Sequence, residues 1–150
     1  MRLEGADGSA LELEIAGYQF AGGTDEYDLN WLIVEGRITS SERSWGFRDP
    51  CLLTWEARTL GSWLMHASDR DTQPEELTFI EPNLSFSVSS ASEAAVTVRV
   101  AFELEARPAA MRDLDWGSCG FDLDVGRTSL RSAGEAWLVE LDAYPVRSAA

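Results

Sequence analysis

Asp122 and Asp124 are the two side chains whose type and spacing come closest to a chemical site in this chain. In a strand, residues i and i+2 project to the same side, so both carboxylates could contact one divalent cation. The neighbouring Phe121, Leu123 and Val125 explain the same spacing as a strand with one buried and one exposed face. No glycine-rich phosphate loop accompanies the pair. The favoured interpretation of the pair is therefore the exposed side of an ordinary strand. The alternative is that Asp122 and Asp124 serve a small ligand- or metal-binding domain or an enzyme of unknown reaction.

The single histidine and the two cysteines form no recognisable catalytic or metal-binding motif. His66 lies near the end of a predicted helix, where a hydrogen bond to free carbonyls or a positive charge is favourable. Cys51 has no base assigned by spacing, and neither it nor Cys119 belongs to a CxxC motif. The aromatic stretch SWGFRDPCLLTWEA at 44–57 is interpreted as a structural corner between a strand and a helix. We predict no catalytic residue, no metal ligand and no cofactor.

The charge of the chain restricts the class of partner. The formal net charge is −14, and all twelve basic residues are arginine. Because binding to nucleic acid or to an anionic membrane requires cations that neutralise phosphates, both partners are disfavoured. A negative field instead attracts a basic protein and accelerates the encounter. The alternative interpretation is that the charge serves only to keep the protein in solution. There is neither an apolar run of about 20 residues nor a signal peptide at the start, so we expect a cytoplasmic protein.

Acidic side chains recur in pairs on the outward side of predicted strands. If these strands share a sheet, the pairs would line one exposed face suited to a basic ligand, because like charges on neighbouring strands are otherwise costly. The other interpretation is that the strands are not adjacent, or that arginines neutralise the face. The pairs are Glu12 and Glu14, Glu103 and Glu105, and Asp122 and Asp124, and the candidate neutralising residues are Arg37, Arg99 and Arg127.

The loop AGGTDEYDLN at 21–30 is interpreted first as an ordinary turn and, as the alternative, as a second segment for recognition. It surrounds a tyrosine with carboxylates, and tyrosine is a frequent anchor in protein interfaces. Its glycine and acidic residues are out of register with an EF-hand, so calcium binding is not indicated. Taken together, the predicted partner-binding residues are Asp25, Glu26, Tyr27, Asp28, Glu103, Glu105, Asp122 and Asp124.

Strand patterns dominate the chain and are interrupted by two helical ones. Alternation predicts strands at 11–20, 30–39, 44–48, 76–80, 83–89, 94–108 and 120–125, with extended structure ending at Asp49-Pro50. Apolar spacing of three and four predicts helices at about 53–67 and within 128–145. The order βββαββββα indicates a single α+β domain over residues 1–150, with a mainly antiparallel sheet of about seven strands, curved or folded into a sandwich, and two helices packed on it.

Four segments resemble a known family. NWLIVEG, SWGFRDPCLLTWEARTLGSWL, FIEPNLSF and VTVRVAFELEARP occur in an order similar to the WapI-type immunity proteins, and the resemblance extends from residue 1 to about 145. It implies a cytoplasmic antidote that binds and blocks a toxin domain, often a nuclease attacking tRNA, without catalysing a reaction. No motif of the family marks the residues that contact the toxin.

Overall fold

The computed structural model describes residues 1–113 and 117–149. Within these residues, seven strands form two antiparallel sheets. The first sheet contains β1 (Arg2–Glu4), β2 (Ala10–Tyr18), β3 (Trp31–Thr39) and β4 (Ser44–Leu53) in that order, and the second contains β5 (Leu84–Ala91), β6 (Ala95–Phe102) and β7 (Cys119–Gly126). The helices are α1 (Glu26–Asn30), α2 (Thr54–Ser68), α3 (Ala109–Arg112) and α4 (Arg127–Leu141). The predicted α+β fold with antiparallel pairing is confirmed.

The two sheets meet along one side and enclose a shared core. β1 lies beside β7, where the Ala6 N–H donates a hydrogen bond to the Asp124 carbonyl over 3.1 Å. Trp45 of β4 packs edge-to-face against Phe102 of β6 and Phe121 of β7, with ring centroids 5.3 and 6.0 Å apart. The tryptophan of the SWGFR stretch is thus a partly buried residue that packs against the core and joins the sheets.

The first half of the chain contains two short elements that the sequence patterns did not predict, and one strand is longer than expected. The short β1 was not predicted, because three residues cannot show a clear alternation. The loop predicted at 21–30 contains helix α1. The strand predicted to stop before Asp49-Pro50 continues to Leu53. Proline is tolerated there because β4 is an edge strand and a register shift between Leu32 and Ile33 lies opposite it.

Two predicted strands in the second half are shorter than their patterns indicate. Only Leu77 of the 76–80 segment pairs with the sheet, exchanging two hydrogen bonds of 2.8 and 2.9 Å with Phe86. The strand predicted over 94–108 ends at Phe102. Leu104 continues the apolar alternation in sequence, but its φ of 48° is left-handed and turns the chain into a 3-10 helix at Leu104–Ala106. Glu103 and Glu105 therefore lie beyond the end of β6.

Helices α2 and α4 end within a few residues of their predicted limits and pack against each other as well as on the sheets. Gly61 and Gly134 allow a close approach, because a Cβ atom on Gly134 would lie 2.9 Å from the Gly61 carbonyl oxygen. Trp137 is fully buried and donates its indole N–H to the Ala57 carbonyl over 2.7 Å. The helix pair thus closes one side of the core as a unit.

Candidate functional site

Helix α1 carries the acidic residues that the loop at 21–30 was expected to expose. The Asp25 carboxylate caps the helix by accepting hydrogen bonds from the backbone N–H groups of Tyr27 and Asp28, at 2.8 and 3.3 Å. Glu26 and Asp28 occupy the first turn, where negative charge is favoured by the helix dipole. All four side chains from Asp25 to Asp28 are exposed. The structure therefore orders these residues on a short helix.

An aromatic pair joins α1 to the start of α2. The Tyr27 and Trp55 rings meet edge-to-face, with centroids 5.6 Å apart and planes at 81°. Tyr27 is 49% exposed, and Trp55 is half-buried. Rings held in this way present apolar area to a partner with little loss of side-chain freedom.

Glu56 extends this surface from α2 to the segment before β5. One of its carboxylate oxygens accepts the Leu53 N–H at 2.9 Å and completes the start of α2, and the other accepts the Ile80 N–H at 2.8 Å. Ile80 is 57% exposed, and Glu81 follows it. One carboxylate thus fixes two segments side by side.

Asp49 connects Glu81 to the turn after β6. Its carboxylate accepts a 3.0 Å hydrogen bond from the Asn83 side chain, and the Asn83 carbonyl accepts the Glu103 N–H at 3.0 Å. The pKa of Asp49 is raised, first by burial and then by repulsion from Glu105 and Glu81. The two hydrogen bonds of Asn83 therefore link Asp49 to the turn that carries Glu103, and Glu105 and Glu81 are close enough to act on the Asp49 charge.

These contacts form a continuous chain of neighbours that we call the acidic surface. It runs from α1 across the start of α2, the 80–83 segment and Asp49 of β4 to the turn beyond β6, so five parts of the chain contribute to it. It unites six of the predicted partner-binding residues with five that were not predicted for this role. Its members are Asp25, Glu26, Tyr27, Asp28, Asp49, Trp55, Glu56, Ile80, Glu81, Glu103 and Glu105.

Asp122 and Asp124 lie on the exposed face of β7, in the second sheet. Arg99 donates two 2.8 Å hydrogen bonds to Asp122, and this pairing lowers the pKa of that carboxyl. Thr97 contacts Asp124 at 3.5 Å. Since the Asp122 carboxylate is already occupied by a guanidinium, the geometry gives no support to the alternative of a metal or ligand site at this pair. No cluster suited to a metal ion occurs among the described residues.

The three acidic pairs do not share one face, which agrees with the alternative interpretation that their strands are not adjacent. Glu12 and Glu14 belong to β2 in the first sheet, whereas Glu103 and Glu105 have left the second. Arg37 pairs with Glu12 at 3.3 Å, as the alternative interpretation expected. Arg127 does not neutralise a strand face, because its guanidinium donates to backbone carbonyls, including that of Asp69 at 2.8 Å.

The sequence comparison decides the family. The model of the Immunity protein WapI-like family matches residues 2–145. The chain belongs to this family. No curated protein and no solved structure matches it. The match includes every strand and helix described above and the whole acidic surface of this WapI-like immunity protein.

His66 and Cys51 supply no catalytic pair in this WapI-like family member. His66 is exposed in the last turn of α2, as predicted. Cys51 is fully buried, and burial raises the pKa of its thiol, with further repulsion from Asp49, Glu56 and Glu81. A buried thiol that resists ionisation is a poor nucleophile.

A groove on the outer face of the first sheet is a second surface feature of this family member. It encloses about 1010 Å³ and is bordered by α4. Four arginines line it together with glutamates, and the charges pair across the strands, as between Arg48 and Glu35 at 2.6 Å. The groove therefore has a balanced charge, unlike the acidic surface.

Among the described residues, no helix combines the length and apolar character needed to cross a membrane.

Sequence reasoning missed Asp49, Trp55, Glu56, Ile80 and Glu81. Glu56 carried no capping-box signal, because the N-cap residue three positions before it is Leu53, whose side chain cannot accept a hydrogen bond. The proximity of Asp49, Glu81 and Glu105 carried no local signal either, because it depends on how the first sheet meets the end of β6.

Proposed function

We propose that this immunity-family protein binds a basic, nuclease-type toxin domain in the cytoplasm and neutralises it without catalysing a reaction. The observation that carries the proposal is the acidic surface, where the exposed Asp25, Glu26 and Asp28 adjoin Tyr27, whose ring packs on Trp55. Family membership supports the immunity role, and the chemistry of this surface supports the choice of a basic partner.

Charge complementarity explains how such a protein would inhibit. A nuclease binds the phosphate backbone through arginine and lysine, so its substrate groove is positively charged. A surface that presents several carboxylates competes with the nucleic acid for those cations. The net charge of −14 adds a long-range attraction that raises the association rate.

The extent of the acidic surface suits a stable complex. A standard protein interface buries about 800 Å² on each partner, more than one short helix presents. α1, the start of α2, the 80–83 segment and the turn at Leu104–Ala106 contribute jointly. Apolar groups are interspersed with the charges at Tyr27 and Ile80, which are 49% and 57% exposed. Such groups supply the desolvated anchors that charge alone does not.

Co-expression with any toxin domain that proves to be encoded beside this chain, called here a linked toxin domain, tests the proposal. We expect the wild-type chain to restore growth and to co-purify with the toxin domain. The double variant Asp28→Arg/Glu105→Arg reverses two exposed charges of the acidic surface and should lose both effects. The control Glu14→Arg/Glu135→Arg makes the same change of net charge at exposed positions outside that surface and should retain them. Cell death with the wild-type chain and every linked toxin domain would contradict the proposal.

A further inference from the structure

Helix α1 has only five residues and needs support from outside itself. Isolated helices of this length are unstable in water, because nucleation costs more than a single turn returns. The Asp25 cap stabilises its first turn. Its last residue, Asn30, is fully buried and makes the longer-range contacts.

The Asn30 side chain joins α1 to the segment 142–149, which we call the tail segment. Its amide nitrogen donates to the carbonyls of Glu26 and Arg147, both at 2.8 Å, and its oxygen accepts the Arg147 N–H at 2.9 Å. The carboxamide thereby pairs with the Arg147 backbone as a neighbouring strand would. The Thr54 hydroxyl adds a 3.2 Å hydrogen bond from the first residue of α2.

The Arg147 side chain holds the other end of the same region. Its guanidinium lies 3.4 Å from the centroid of the Tyr18 ring and donates to the Phe20 carbonyl at 3.0 Å. The Tyr18 hydroxyl donates in turn to the Pro145 carbonyl. One arginine thus contacts the chain where it leaves β2 and, through its backbone, where α1 ends.

We propose that Asn30 and Arg147 are positioning residues that hold α1 in the orientation that meets the partner, an inference that rests on the function proposed above. Neither side chain has to touch the toxin domain. Releasing the tail segment increases the fraction of molecules in which α1 is disordered. The apparent dissociation constant then rises in inverse proportion to the fraction of molecules in which α1 is ordered. If α1 is ordered in about one molecule in ten, the affinity for the toxin domain falls about tenfold.

The free protein provides the first test. Arg147→Ala is compared with Arg131→Ala, which removes a half-exposed arginine that pairs with Asp69 at the other end of α4. Hydrogen exchange of the Leu29 and Asn30 amides and the ring-current shift of Tyr27 next to Trp55 are measured by NMR. Of these two variants, we expect only Arg147→Ala to show faster exchange of the Leu29 and Asn30 amides and a loss of the Tyr27 ring-current shift. Arg147→Lys, which keeps a cation over the Tyr18 ring, should restore much of the slow amide exchange and of the Tyr27 shift.

The second test separates positioning from general stability. Asn30→Ala should give the same two local signatures, and the melting temperature is recorded for every variant. Unchanged α1 exchange and an unchanged Tyr27 shift in Arg147→Ala would overturn the proposal, even if the melting temperature fell. Toxin binding should weaken about tenfold in Arg147→Ala, and binding equal to the wild type despite a disordered α1 would also overturn it. A wild-type chain that binds no linked toxin domain contradicts the proposed function instead, whatever the exchange data show.

Discussion

Tyr27 and Trp55 meet edge-to-face with their centroids 5.6 Å apart, although 27 intervening residues, β3 and β4 among them, separate them in sequence. The contact fixes α1 against the start of α2 and leaves the tyrosine 49% exposed. It places an aromatic group among the carboxylates of Glu26, Asp28 and Glu56. The acidic surface therefore carries an exposed aromatic group at its α1 end as well as charge.

Removal of the Tyr27 ring should weaken the complex with the toxin domain. We expect Tyr27→Ala to cost about 2 kcal/mol of binding free energy, since exposed aromatic anchors dominate many interfaces. Tyr27→Phe is the matched control, because it keeps the ring and its contact with Trp55. Isothermal titration calorimetry measures both. Equal affinities for the alanine and phenylalanine variants would exclude the ring as an anchor.

The Asp25 carboxylate should stabilise α1 mainly through its capping hydrogen bonds and less through its negative charge. Asp25→Ala removes the hydrogen bonds to Tyr27 and Asp28 and should destabilise the helix by about 1 kcal/mol. Asp25→Ser keeps a capping oxygen without the charge and should preserve the slow exchange of the Leu29 amide. If both variants exchange alike, the cap does not stabilise α1.

Asp49 should make stability depend on pH. Its pKa is raised in the folded protein by burial and by Glu105 and Glu81, so its contribution to stability is present at low pH and is lost as pH rises through the folded pKa. Asp49→Asn can still accept the Asn83 hydrogen bond and should raise the melting temperature at neutral pH by about 2 °C, with no gain near about pH 3. A gain of equal size at both pH values would rule out the charge as its cause.

The crossing of α2 and α4 should tolerate no added methyl group at Gly134. A Cβ there would approach the Gly61 carbonyl oxygen to 2.9 Å and the Met65 side chain to 3.0 Å. We expect Gly134→Ala to lower the free energy of unfolding by about 1–3 kcal/mol in urea titrations. Ser132→Ala, on the exposed side of the same helix, should change it by less than about 0.5 kcal/mol. Wild-type stability of Gly134→Ala would show that the helices can separate freely.

Hydrophobic periodicity was sufficient to predict the fold class and most of its elements. β6 and β7 bury every second residue, and α2 and α4 bury one stripe, so their patterns are strong and local. It failed where another constraint overrides the pattern. Pro50 lies inside β4 because an edge strand can lack one donor, and Leu104 adopts a left-handed φ in spite of its apolar alternation.

The candidate site was predictable only in its local parts. The residues of α1 are adjacent in sequence, and their composition indicated a recognition segment. The contact of Glu56 with Ile80 and the proximity of Asp49, Glu81 and Glu105 depend on tertiary packing. Whether the acidic pairs share a face was left open by the sequence for the same reason, because strand order decides which charges are neighbours.

Binding kinetics with the linked toxin domain test the central claim most directly. Association rates are measured by stopped-flow fluorescence at low and high salt for the wild type, Asp28→Arg/Glu105→Arg and Glu14→Arg/Glu135→Arg. The account predicts fast, salt-sensitive association for the wild type. It predicts an affinity loss of about 100-fold for the first double variant and a much smaller loss for the second, whose net charge is the same. Equal losses in the two variants, or association that does not respond to salt, would contradict a toxin-binding role for the acidic surface.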